Sequence, residues 1–272
     1  MTVALGYAGA AVRRANEAGR GALVGYLPAG FPTYDGAVDA LKALVDGGAD
    51  VVEIGLPYSD PVMDGPTIQR ATETALAGGL RTRDVLRTVE AVASYRREVP
   101  VLVMTYWNPV ERYGVDAFAR DLAAAGGAGL ITPDLVPDEA AEWVAAADAH
   151  GLDKVFLVSP SSTDERIALT TQACRGFVYA TAVMGVTGAR DQVSVLAPEL
   201  VERTRAATAL PVGVGLGVSD ADQAAAVASY ADAVIVGSAL VKAAQDGAVR
   251  VRALTESLAD GVRRERSRAA SR

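Results

Sequence analysis

The chain has one cysteine, Cys174, one histidine, His150, and three lysines, Lys42, Lys154 and Lys242, among its 272 residues. A lone cysteine excludes an intrachain disulfide and a cysteine-rich zinc centre, and it points to a reducing compartment. A lone histidine rules out a histidine-built zinc site and leaves any Ser/His/Asp triad with only His150 to draw on. His150 sits in "AAADAHGLDK", at the end of a helical pattern. There a cation suits the helix dipole, so it reads as a helix-terminal surface residue. Schiff-base chemistry is confined to the three lysines. No run of about eighteen apolar residues is present. The N-terminus also lacks the basic start, apolar block and small-residue cleavage site of a secretory signal. The expectation is a cytoplasmic protein with no membrane partner. Positive charge is short as well: 26 Lys and Arg stand against 33 Asp and Glu, a net charge of -7, which argues against nucleic acid.

What is present is apolar and regular. Half of the residues are hydrophobic and 22% are charged, enough to bury a large core. Short apolar runs alternate with longer amphipathic, alanine-rich segments. The runs are "ALVGYL" (22–27), "VVEIG" (51–55), "VLVMT" (101–105), "GLIT" (129–132), "KVFLV" (154–158), "FVYA" (177–180), "VGVG" (212–215) and "AVIVG" (233–237). They are apolar on both faces, as parallel strands covered by helices are. Eight such units in this length predict one (β/α)8 TIM barrel spanning 1–272, with a doubly wound sheet as the alternative. A helix should precede the first strand. The basic end, about 260–272, has few apolar residues and is expected to fray.

In a barrel, chemistry gathers at the C-terminal ends of the strands. Glu53, Asp60, Asp64, Tyr106, Asn108, Asp134 and Tyr179 fall there, whereas Lys154 starts its strand at the opposite mouth and Lys42 lies within a helix. Glu53 is unusual because it interrupts a β-branched run. Buried there, a carboxyl has its pKa raised and can donate a proton near neutrality. Asp64, in a polar loop, should stay ionised, and two carboxyls in unlike surroundings can take two roles. The competing readings are a structural carboxylate for Glu53 and turn-forming aspartates at 60 and 64. Late in the chain, "PVGVGLGVSD" (211–220) and "VIVGSALVKAA" (234–244) predict a phosphate site. Gly215 and Gly217 would admit backbone N–H groups, and Gly237 with Ser238 would open a short extra helix. A dinucleotide fingerprint fails at Val218. "GVTGAR" (185–190) reads as a loop that closes on the ligand.

The stretches "GYLPAGFP", "EIGLPYSDPVMDGPTIQ", "MTYWNP", "PDLVPDE", "MGVTGAR" and "GVGLGVSD" with "VIVGSALV" occur in one order over about residues 15–250. Together they resemble the α subunit of tryptophan synthase. That resemblance implies a lyase that cleaves indole-3-glycerol phosphate to indole and glyceraldehyde 3-phosphate. It places the catalytic acids on Glu53 and Asp64, a tyrosine beside the glutamate on Tyr179, and the closing-loop threonine on Thr187. Phosphate contacts fall on Gly188, Leu216, Gly217, Gly237 and Ser238; Tyr26, Tyr106 and Ile131 surround the indole. It further implies a β subunit that holds pyridoxal phosphate and receives the indole within an α2β2 complex. Pro57, Val62, Met63 and Asn108 are the candidate contacts with that subunit. The chain departs from the commonest family pattern in reading "VMDG" for "LADG", Tyr58 for phenylalanine and Leu216 for phenylalanine, so the contact at Leu216 should be through backbone. The rival readings are another phosphate-sugar barrel, such as an isomerase or an indole-glycerol phosphate synthase, and a non-catalytic regulatory subunit. The synthase would be expected to use a strand-end lysine that this chain lacks.

Overall fold

The computed structural model describes residues 5–181 and 190–264. From the N-terminus, α1 (Gly6–Glu17) leads into β1 (Ala22–Pro28), α2 (Tyr34–Asp46) and β2 (Val51–Gly55). Next come α3 (Pro66–Ala77), α4 (Thr82–Ala93), β3 (Val101–Met104), α5 (Trp107–Tyr113), α6 (Val115–Ala124) and β4 (Gly129–Ile131). A 3-10 turn (Pro137–Glu139) precedes α7 (Ala141–His150), β5 (Asp153–Val155), β6 (Leu157–Val158), α8 (Asp164–Ala173) and β7 (Val178–Thr181). The remainder is α9 (Arg190–Ala207), β8 (Val212–Gly215), α10 (Ala221–Ala228), β9 (Ala233–Val236), α11 (Ser238–Gln245) and α12 (Ala248–Arg263). Among the described residues, no helix is long and apolar enough to cross a membrane.

All named strand pairs are parallel, in the order β5-β4-β3-β2-β1-β9-β8-β7-β6. β5 and β6 are consecutive in the chain and separated only by Phe156, whose carbonyl accepts the Tyr179 N–H at 3.2 Å. They form one barrel strand interrupted at Phe156, so the sheet closes on itself with eight strand positions. The chain folds as a (β/α)8 TIM barrel, with each predicted run at its strand position.

Period-two alternation divides each strand between two cores. Ala22, Val24, Val51, Leu102, Ile131, Val155, Phe177, Ala233 and Ile235 fill the barrel interior. Leu23, Val52, Ile54, Val103, Leu130, Val178, Val234 and their neighbours pack outward on the helices. The interior cluster also takes in Ala8, Ala11, Val12 and Ala15 of α1, so that helix plugs the N-terminal mouth. Its fit depends on small residues: a Cβ on Gly9 would lie 2.2 Å from the carbonyl oxygen of Gly176. The first turn of α1 docks on Asp153, whose buried carboxylate accepts the Ala8 N–H at 2.8 Å.

One expectation needs adjustment. Fraying from about residue 260 is too early, because α12 runs to Arg263, with Val262 buried and its carbonyl accepting the Gly21 N–H at 3.0 Å. After β3, Tyr106 occupies the N-cap position of the short helix α5, with Asn108 in its first turn. His150 does end α7, ahead of a left-handed Gly151, and its Nε2 lies 3.4 Å from Asp116. Lys154 lies at the start of its strand, ion-paired to Asp148.

Candidate active site

Glu53 is the central residue of β2, a strand buried along its whole length. Alternation sends Val52 and Ile54 to the helices and turns Val51 and Glu53 inward. The register sets Tyr26 on one side of Glu53 and Leu102 on the other. Glu53 is 0% exposed, and neither carboxyl oxygen has a hydrogen-bond partner among the described residues. An anion there would lose its hydration and gain nothing in return. Burial accordingly pushes the Glu53 pKa up to about 8, and at neutral pH the group carries a proton.

Asp64 arrives from the loop after the same strand. The loop is shaped by turns: the Val62 N–H bonds to the Asp60 carbonyl at 2.9 Å and the Asp64 N–H to the Pro61 carbonyl at 3.0 Å. The Asp60 carboxylate accepts the Ser59 hydroxyl at 2.6 Å, which suits a loop organiser. Gln69, in the first turn of α3, donates to the Asp64 carbonyl at 2.9 Å. The Tyr106 hydroxyl accepts the Met63 N–H at 2.9 Å. These bonds hold the backbone and leave the Asp64 carboxylate without a donor among the described residues. Partial burial raises its pKa to about 6. Between about pH 6 and about pH 8, Glu53 is therefore protonated while Asp64 is ionised.

Three tyrosines share this space. Tyr26 and Tyr179 have pKa values held well above the usual phenol range by burial first, with both carboxyl groups adding to the effect. Tyr106 is pushed up to about 12 by burial and then by Asp64. Two glycines make room for the hydroxyls. A Cβ on Gly55 would sit 2.2 Å from the Tyr26 hydroxyl, and one on Gly215 would sit 2.6 Å from that of Tyr179. Gly215, expected to expose backbone to a phosphate, has a missing side chain that accommodates Tyr179. Ile131 ends β4 on the interior side.

The glycine-rich loops lie next to one another because β8 and β9 pair, with Gly215 opposite Ile235. Gly217 has φ +78° with open space where a side chain would be, a conformation that glycine adopts freely. The Leu216 side chain is partly buried and packs against the outer core. Gly237 caps α11 and Ser238 is its first residue, so the first N–H groups of that helix lack helical partners and favour an anion. Thr187 and Gly188, with the rest of 182–189, lie outside the described residues.

One set of contacts was not foreseen. The Asp134 carboxylate accepts the Trp107 N–H at 3.0 and 3.1 Å and so caps α5. Asn108 Nδ2 donates to the Tyr58 hydroxyl at 3.0 Å. The sequence signal was available, since all four residues follow the C-terminal ends of strands, but nothing in the spacing pairs them.

The fold and this mouth define a (β/α)8-barrel enzyme equipped for acid–base chemistry. The family model described as tryptophan synthase alpha chain matches residues 12–268. The chain is 63% identical over 260 residues to the tryptophan synthase alpha chain of Acidothermus cellulolyticus, covering 94% of this chain and 97% of that protein. It is 61% identical over 265 residues to that of Salinispora arenicola, covering 95% and 98%. Among solved structures, Mycobacterium tuberculosis tryptophan synthase in space group F222 superposes with a TM-score of 0.90 at 59% identity, covering 96% of this chain and 99% of that one. The chain belongs to the tryptophan synthase alpha chain family. It is a lyase of tryptophan biosynthesis, the catalytic α component of a complex with a β subunit.

Proposed function

We propose that this mouth cleaves indole-3-glycerol phosphate by a retro-aldol reaction in which Glu53 moves the proton and Asp64 balances the charge. The neutral Glu53 carboxyl donates its proton to indole C3, giving an indolenine with positive charge at N1. Ionised Asp64 accepts a hydrogen bond from N1–H and stabilises that charge where it develops. The Glu53 carboxylate then takes the proton of the hydroxyl on the carbon attached to C3. The bond between that carbon and C3 breaks, its electron pair restores the indole, and the carbon becomes the aldehyde of glyceraldehyde 3-phosphate. Glu53 ends protonated, as it began. The observation that carries this reading is the separation of the two carboxyls, about 8 for Glu53 and about 6 for Asp64, in one mouth.

In the same reading Tyr26, Tyr106, Tyr179 and Ile131 surround the indole, and Thr187 belongs to the closing loop. Gly188, Leu216, Gly217, Gly237 and Ser238 hold the phosphate, supported by the free N–H groups at the start of α11. Pyridoxal phosphate belongs to the β subunit. The α chain is a single barrel domain of an α2β2 complex in the cytoplasm, and indole passes from it to the partner. The test is release of glyceraldehyde 3-phosphate from indole-3-glycerol phosphate, with and without the β subunit, by the natural chain and by Glu53→Gln. Cleavage lost in the variant while the ligand still binds supports the assignment. Full cleavage by Glu53→Gln would remove Glu53 from the chemistry, and a natural chain that binds but never cleaves would make this a regulatory subunit.

A further inference from the structure

We infer that Tyr58, held by Asn108, is a positioning residue for Asp64 that acts through Tyr106. This rests on the role given to Asp64 above. The loop that carries Asp64 is poorly packed: Val62 is 83% exposed and Met63 56%. Hydrogen bonds must therefore set its position. One of these runs to the Tyr106 hydroxyl, which accepts the N–H of Met63, the residue before Asp64, at 2.9 Å. The Tyr106 ring is in turn flanked by Tyr58, with centroids 5.4 Å apart at an interplanar angle of 33°. Tyr58 is fixed by its hydroxyl, which accepts Asn108 Nδ2 at 3.0 Å. Asn108 stands on the first turn of α5, and Asp134 anchors that turn through the Trp107 N–H. The path thus runs from the loop after β4, through α5, to Tyr58, Tyr106 and the Met63 backbone next to Asp64. A phenylalanine at 58 would keep the ring contact and lose the anchor.

Catalysis is sensitive to sub-ångström placement of a charge that must meet N1–H. Tyr58→Phe and Asn108→Ala are each expected to lower the kcat of cleavage roughly fivefold with KM little changed. The double variant should lose no more than either single one, because one contact is removed three ways. A second readout separates positioning from mere folding. The titratable groups facing Asp64 are Tyr26, Tyr106 and Tyr179, and none of these is altered. A loop freed from its anchor lets water reach Asp64, so the acid limb of the pH profile should fall from about 6 toward the ordinary 3.8.

The experiment measures both quantities for the α chain alone and in the complex with its β subunit. An unchanged kcat and acid limb in Tyr58→Phe, with Asp64→Asn inactive, would overturn the positioning role and leave the proposed chemistry standing. Full activity in Asp64→Asn would overturn the chemistry itself. A loss confined to the complex would assign Tyr58 and Asn108 to partner docking and likewise overturn the inference.

Discussion

Glu53 shows how burial changes a residue out of place in its strand. Its burial without a partner lifts its proton affinity above that of the half-buried Asp64, the order that the proposed reaction requires of its acid and its anion. A pH profile of kcat/KM for cleavage is expected to be bell-shaped. The acid limb near 6 belongs to Asp64 and the basic limb near 8 to Glu53. A profile flat from pH 5 to 9 would contradict the assignment. The same burial has a stability cost with a definite sign. Glu53 binds its proton more tightly in the fold, at about 8, than in the unfolded chain, near 4.5. Its contribution is therefore fully present below about pH 4.5 and is lost, at roughly 1.4 kcal/mol per pH unit, as pH rises toward 8. Glu53→Gln, which cannot ionise, should match the natural chain near pH 4.5 and exceed it by roughly 3 kcal/mol or more at pH 8. Urea unfolding at the two pH values measures this. Asp153, whose own pKa burial raises to about 6, is common to both proteins and drops out of the comparison.

At the scale of elements, the plug helix α1 was legible as a helix but not as a plug. Its inward face is alanine and glycine apart from Val12, a pattern that periodicity alone would assign to a weakly packed surface helix. Gly9 makes the distinction measurable. In an exposed helix Gly→Ala would stabilise by about 1 kcal/mol through propensity. Here the new Cβ would meet the Gly176 carbonyl at 2.2 Å. Packing should outweigh propensity, so Gly9→Ala is expected to destabilise by about 1–3 kcal/mol, read as a lower urea midpoint with an unchanged slope. A stabilised variant would show that α1 docks loosely. α11 is the opposite case: its position after β9 and its start at Gly237 and Ser238 could be read from the chain, because glycine spacing and helix-start chemistry are local.

For the whole molecule, the two mouths of the barrel are unlike. A cavity of about 1230 Å³ opens at the N-terminal end beside α1, bordered by Arg14, Arg97, His150 and Arg175. The paired carboxyls lie at the other end, so cavity size alone would misplace the chemistry. The mouth that holds Glu53 and Asp64 also presents Val62 and Met63 to solvent. Met63→Asp is expected to weaken binding to the β subunit about tenfold by desolvating a charge in the contact, measured by titration calorimetry. Unchanged affinity would take Met63 out of the interface.

The amino-acid sequence by itself determined the eight strand positions, the barrel, the mouth at which Glu53 and Asp64 stand, and the short helix at Ser238. Each follows from signals carried within a few residues: alternation, helical period, turn chemistry and strand-end location. Only the tertiary structure decided which groups meet. Gly215 accommodates a tyrosine hydroxyl because β7 and β8 pair in one register, with Thr181 opposite Gly215. Tyr58 and Asn108 bond across 50 residues, and Asp153 receives a helix 145 residues earlier in the chain. The proton affinities belong to the same class, since desolvation depends on everything packed around a carboxyl and on nothing in its immediate sequence.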